Sequence, residues 1–166
     1  MRRIMQEGDL IVAEVHSVNN DKTYNLHTRN PKYGRLEPGT LIEASHRQVK
    51  RQRHHMVTIG RVGLILGNNG NLYLSNFRRN EANNLKDAVI VNEKYTPEEI
   101  KDITVVGNLL RVLSFEGLEI SEVLLKELLE WTSNRGIEAA GILQERGEVR
   151  EELLSRVRDR IPKRIE

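Results

Sequence analysis

VGLILGNNGNLYLSN, residues 62–76, is the stretch that decides the fold. VGLIL (Val62–Leu66) is a short apolar run, and NLYLSN (residues 71–76) alternates on the way out. Between them lies GNNG, the turn motif Gly67, Asn68, Asn69 and Gly70. Asn69-Gly70 between apolar runs is a strong hairpin signal, because both residues tolerate positive φ. Strands therefore flank the motif on both sides.

Working outward toward the N-terminus, LIEA (residues 41–44) reads as a short strand, and SHRQVKRQR (residues 45–53) as a short basic helix capped by Ser45. RNPKYGRLEPG (residues 29–39) holds two prolines and two glycines, which enforce an irregular connection. Before it, LIVAEVHSV (residues 10–18) alternates like a half-buried strand, and TYNLHT (residues 23–28) returns after an Asn-Asn-Asp-Lys turn. Toward the C-terminus, residues 78–94 show little periodicity and read as a mobile connector, with VIV (residues 89–91) as a short strand within it. Thr96, Pro97 and Glu99 then compose a capping box with proline at the first helical position. Ile100, Ile103, Val106, Leu110 and Leu113 follow at helical spacing, and Gly117 is the stop. A second helix is capped by Ser121, buries Leu124, Leu125, Leu128 and Trp131, and ends at Gly136. The tail is broken by Gly141 and Gly147, then carries a stripe of Val149, Leu153, Val157 and Ile161. The expected class is α+β.

Composition narrows the function. With 38% hydrophobic and 30% charged residues, the 166-residue chain matches a soluble globular protein. The start, MRRIMQEGD, has no apolar core of a secretory signal, and the absence of cysteine removes disulfides and thiolate metal sites. The net charge of +2 hides an asymmetry. Residues 1–80 carry 13 Lys and Arg against 6 Asp and Glu, together with all five histidines, whereas residues 81–166 carry 13 against 18. A basic half points toward a polyanion and an acidic helical half toward proteins, although solvated helix faces alone also produce mixed charge.

Four blocks carry a family resemblance. EGDLIVAEV (residues 7–15) with HTRNPKYGRL (residues 27–36) resembles the last two strands and exit loop of an S1 domain in an RNA exosome cap subunit. VKRQRHH (residues 49–55) and ILGNNGNLYL (residues 65–74) resemble the start and signature hairpin of that subunit's KH domain. The blocks keep the family's order over about the first 75 residues, and the form is similar to the eukaryotic ribosomal RNA-processing protein four type. The resemblance implies the C-terminal part of an OB-fold barrel at residues 1–40, a KH-like domain at 41–135 and a helical tail at 136–166. Met1 precedes what resembles the fourth barrel strand, so the chain is expected to be shortened at its N-terminus, with a lone hairpin that must dock elsewhere. The family implies a non-catalytic subunit that guides single-stranded RNA into the complex for 3′-to-5′ processing and degradation. Implied partners are RNase-PH-like ring subunits and the other cap subunits, with no membrane and no cofactor, in nucleus, nucleolus and cytoplasm.

The candidate RNA contacts are the densest basic cluster, Lys50, Arg51, Arg53 and His54, and the smaller pair Lys32 and Arg35. Phosphate neutralisation by such groups makes binding salt-dependent, while a solvated face or a protein-docking patch is the plainer reading. Tyr33 either stacks on a base or fills its loop, and packing is the safer expectation. GNNG invites comparison with the GxxG loop that clamps RNA backbone, but that loop needs flanking helices, so here a structural turn is expected. Adjacent His54 and His55 point different ways and no HExxH is present, so no metal site is expected. The carboxylates Asp9, Glu14, Asp21, Glu37 and Glu43 are scattered, which argues against a two-metal nuclease. A free-standing KH-type regulator and a nuclease are the alternatives to the exosome reading.

Overall fold

The computed structural model describes residues 5–30, 33–36, 38–76, 95–144 and 147–160, together with the backbone of 78–79 and 88–89. The architecture is α+β. In chain order the strands are β1 Ile11–Val12, β2 Glu14–Val18, β3 Tyr24–His27, β4 Gly34–Arg35, β5 Thr40–Glu43, β6 Met56–Ile59, β7 Val62–Leu66 and β8 Asn71–Ser75, then β9 Arg78–Arg79 and β10 Ala88–Val89. The helices are α1 Pro97–Phe115, α2 Glu122–Arg135, α3 Ala139–Leu143 and α4 Glu148–Arg160.

The expected central hairpin is present as β7 and β8, paired antiparallel from Leu66↔Leu72 to Gly63↔Ser75. With β5 and β6 it builds a four-stranded antiparallel sheet in the order β5-β8-β7-β6. Leu64, Leu66, Leu72 and Leu74 point to one face and join Val106, Leu109, Leu110 and Leu113 of α1 in the main core. Full burial of each such side chain contributes roughly 1.5–3 kcal/mol. Ile65 and Tyr73 point to the opposite face, where Val12, Leu36 and Met56 pack on them. Coverage of both faces explains why VGLIL is a continuous apolar run rather than an alternating one.

Helix signals act as the sequence predicts at most ends. Thr96 accepts from the Glu99 amide (3.2 Å) while Glu99 Oε2 accepts from the Thr96 amide (2.9 Å). At the other end of α1, Gly117 adopts φ +69°, its amide donates to Ser114 O (3.2 Å) and the Leu118 amide to Leu113 O (3.0 Å), a Schellman stop. The second helix has Ser121 at its cap and buries Leu124, Leu125, Leu128 and Trp131. The core also takes in Ile142 of α3 and Leu153 and Val157 of α4.

Several expectations are corrected. Ile100 is 52% exposed, because the contacts of α1 with the sheet begin further along the helix, and Leu109 and Val112 are buried instead. Gly141 lies inside α3 rather than breaking the tail, with its amide donating to Glu138 O (3.0 Å). The strand expected over residues 10–18 splits: Ile11–Val12 pairs with Gly34–Arg35, and only Glu14–Val18 pairs with β3, across an irregularity between Val15 and Ser17. Its alternation buries no face, since Val15, Val18, Tyr24 and Leu26 are all more than half exposed. Of VIV, Val89 pairs with Arg78, and residues 90–91 lie outside the described residues, as does Ile161.

The basic helix expected over residues 45–53 does not form. Ser45 does start a turn, with its amide donating to Gln48 Oε1 (2.9 Å) and its carbonyl accepting from the Gln48 amide (2.9 Å). The chain then leaves the helical path, because Ile120 N–H donates to Gln48 O (2.8 Å) and Lys50 N–H to Ile120 O (3.0 Å), giving a parallel bridge at Val49. Nε2 of Gln48 reaches the end of α1 and lies 3.1 Å from Leu113 O, 3.1 Å from Ser114 O and 3.3 Å from Leu118 O. These tertiary bonds outcompete a short helix whose own bonds would be few.

Replacing Gln48 with leucine removes the donor to Leu118 O and the side-chain donor that Leu113 O and Ser114 O share with the Leu118 and Gly117 amides. Urea unfolding should show a loss of about 1–3 kcal/mol, with an unchanged midpoint counting against a stabilising role of the Gln48 amide. At the β2–β3 turn, the Thr23 hydroxyl (2.7 Å) and amide (3.0 Å) donate to Asp21 Oδ1 and hold its carboxyl below the ordinary value. A depressed carboxyl stabilises the folded turn above its unfolded pKa, and that contribution disappears as pH falls through the folded value. Amide exchange at Thr23 should accordingly quicken on acidification, and Asp21→Asn should remove most of that pH dependence.

Candidate nucleic-acid interface

The basic cluster sits on a strap, residues 50–54, strung between two anchors. At one end the buried Val49 bridges to Ile120. At the other, His55 O accepts the Leu66 amide (2.8 Å), and His55 Nδ1 lies 3.1 Å from Leu66 O. Because a carbonyl only accepts, that ring nitrogen carries the proton. Anchoring at both ends fixes an otherwise irregular backbone and holds Lys50, Arg51, Arg53 and His54 at the surface.

The candidates part company in their partners. Lys50 Nζ lies 3.1 Å from Glu119 Oε1, with both side chains 58% exposed, so solvent screens the pair and it remains easily opened. Nε of Arg35 lies 3.2 Å from Asp9 Oδ1 on the neighbouring N-terminal segment. Arg51, Arg53 and His54 have no carboxylate partner among the described residues. Lys32 lies outside the described residues. Basic side chains elsewhere are mostly engaged: Arg61 with Glu98 and Asp102, Arg135 with Glu152, Arg150 with Glu116, and Arg160 with Glu127.

Arg53 and His54 meet the GNNG turn at a cleft of about 620 Å³ between the N-terminal strands and the face of the sheet that the helices leave free. Tyr33 and Glu14 line its outer side. The turn closes through Gly70 N–H to Gly67 O (3.0 Å) and Gly67 N–H to Asn71 O (2.9 Å), with Asn69 Oδ1 accepting from the Asn71 amide (3.1 Å). Of the four turn residues Gly70 alone takes positive φ, +93°, although both Asn69 and Gly70 tolerate it. A Cβ on Gly70 would overlap the Ala44 carbonyl, while the Ala44 amide donates to Gly70 O (2.9 Å). The glycine thereby lets the turn press against the backbone that leaves β5 at Ala44.

Two contributors escape a reading of the sequence. Gln48 looks like one more polar residue in a basic run, and nothing local announces its long-range partners. Met56–Ile59 of β6 follows the two histidines too closely to stand out, although its β-branched residues and alternating burial are the strand's signal.

No protein-family model matches the chain. Over 75 residues, 45% of the chain, it is 47% identical to the exosome complex component RRP4 of Mus musculus, covering 26% of that protein. Over 157 residues, 86% of the chain, it is 28% identical to the RRP4 homolog of Arabidopsis thaliana, covering 49%.

The chain resembles RRP4-type exosome components.

A third relative, the rrp4 protein of Schizosaccharomyces pombe, is 38% identical over 82 residues, 49% of the chain and 25% of that protein. The chain thus spans between about a fifth and about a half of such RRP4 relatives. The family resemblance read from four short blocks agrees with these relatives.

The turn and the strap should respond differently to substitution. Gly70→Ala, strained at positive φ and against Ala44, should cost more than about 1 kcal/mol in thermal unfolding. Asn68→Ala, at an exposed position, should leave the melting temperature within error. Equal effects would remove the close approach at Gly70 as the reason for the glycine.

Proposed function

We propose that this chain is a non-catalytic RNA-binding subunit of an RNA exosome, of the cap type. Residues 1–40 act as the end of an S1-type barrel, 41–135 as a KH-like unit and 136–166 as its helical tail. It holds single-stranded RNA on the way into the complex for 3′-to-5′ processing and degradation, beside RNase-PH-like ring subunits and the other cap subunits. Nucleus, nucleolus and cytoplasm are the corresponding places of work.

One observation carries the reading: the strap presents Arg51, Arg53 and His54 without carboxylate partners among the described residues, in a chain whose relatives are exosome components. Cations that face solvent on a backbone held from both ends need little rearrangement to meet phosphates, and each neutralised phosphate releases counterions. Asp9 and Asp21, two of the scattered carboxylates, are taken up by Arg35 and Thr23, which leaves them poorly placed to hold a catalytic ion.

Charge reversal at Arg51 and Arg53 together should weaken binding of a labelled single-stranded RNA. The slope of log affinity against log salt should fall by about 0.7 for each phosphate that is no longer neutralised. Lys50→Ala should do less, since Glu119 already occupies that ammonium. Reversal at Lys101, an exposed lysine on α1, should do nothing. Affinity and slope unmoved by the double reversal would take the strap out of the RNA path. Gentle purification of the tagged chain should bring ring and cap subunits with it; transcripts without a ring would favour a free-standing regulator.

A further inference from the structure

We infer that the cleft beside the strap is a seat for one unstacked nucleobase of the bound single strand, an inference that rests on the RNA-binding reading above. Its floor is apolar and open: Leu10, Ile11, Val15, Leu26 and Leu41 line it and are each 40% or more exposed, above the buried layer of Ile65 and Tyr73. A floor of that kind has nothing to offer a phosphate, and Glu14 at the wall repels one. A planar base has two weakly polar faces that such a floor can cover, and hydrogen-bonding edges that it cannot. The edges meet the GNNG turn. Asn69 has its carbonyl oxygen committed to the Asn71 amide, so its NH2 is left to donate. Asn68 has no partner among the described residues, so its amide offers a donor and an acceptor side by side, the pattern that pairs with a base edge. Arg53 and His54 stand at the same rim, where the phosphates on either side of an inserted base would pass.

The cleft therefore separates two tasks. The strap takes backbone charge and sets the salt dependence, while the floor and Asn68 take a base and set the gain over a bare backbone. At about 620 Å³ the space is in the range of a small-ligand site and large enough for a base.

The test uses the full chain and two fluorescently labelled oligoribonucleotides of equal length, one normal and one carrying abasic sites throughout its middle. Fluorescence anisotropy at fixed salt should show the abasic strand binding at least ~5-fold more weakly, with an unchanged salt slope. Asn68→Ala should shrink that difference while leaving the slope alone. Equal affinity for the two strands would overturn the base seat and leave the strap reading standing. Salt-independent or undetectable binding of both would overturn the strap reading and the seat with it. As a readout that needs no variant, photocrosslinking with 4-thiouridine in the strand should label the peptides carrying Met56 or Asn68. Labels confined to residues 50–54 would overturn the seat.

Discussion

One buried side chain ties the two halves of this molecule together. The amide of Gln48 sits at the C-terminal end of α1, within hydrogen-bonding reach of Leu113 O, Ser114 O and Leu118 O, while its oxygen accepts from Ser45. Helix ends leave carbonyls that water normally satisfies, and here the end of α1 is shielded by the chain that follows β5. The Gly117 and Leu118 amides already bond Ser114 O and Leu113 O, and the Gln48 amide adds a further donor to both and reaches Leu118 O. Without the helix, Val49 and Lys50 would lose the Ile120 backbone that straightens them. The end of α1 and the segment leading into the strap are thus joined through one side chain, on top of the bonds that close the helix itself.

On the helices Arg135, Arg150 and Arg160 each face a carboxylate, and Arg61 of the β6–β7 turn faces Glu98 and Asp102 of α1. The strap has no neighbouring helix surface along most of its length, so only Lys50, nearest the α1–α2 connection, finds Glu119. Arg51, Arg53 and His54 remain directed at solvent and at the cleft. A surface designed by packing alone would spread such charges apart, because adjacent cations repel.

Elements governed by local chemistry were legible in the sequence. The hairpin around GNNG, the capping box at Thr96 and Glu99, the stop at Gly117 and the buried stripe from Leu124 to Trp131 all rest on interactions within a few residues, and all appear in the structure. Elements decided at a distance were not. Ser45 does begin a helical turn, but Ile120 captures the chain three residues on, and no pattern near Ser45 encodes that. The alternation of residues 10–18 signals a buried face, of which Val12 packs on the sheet while Glu14–Val18 stays exposed among the described residues, since periodicity reports a preference and not a partner. The candidate site was legible in residue type, through Arg53 and His54, but not in arrangement. Lys50 and Arg35 turn to carboxylates, and the union of the strap with the turn is a product of the sheet order.

The bond from Gln48 to Leu118 spans 70 positions in the chain, and the one to Leu113 spans 65. Contacts of that separation close only after the intervening segment has collapsed, because loop entropy must be overcome before they form. During synthesis the strap leaves the ribosome long before α1 and Ile120 do. A nascent or truncated chain ending ahead of residue 113 has the cations and the His55–Leu66 anchor but lacks the Gln48 and Ile120 contacts at the other end. Anchoring of the strap from both sides therefore waits for α1 and the turn that follows it.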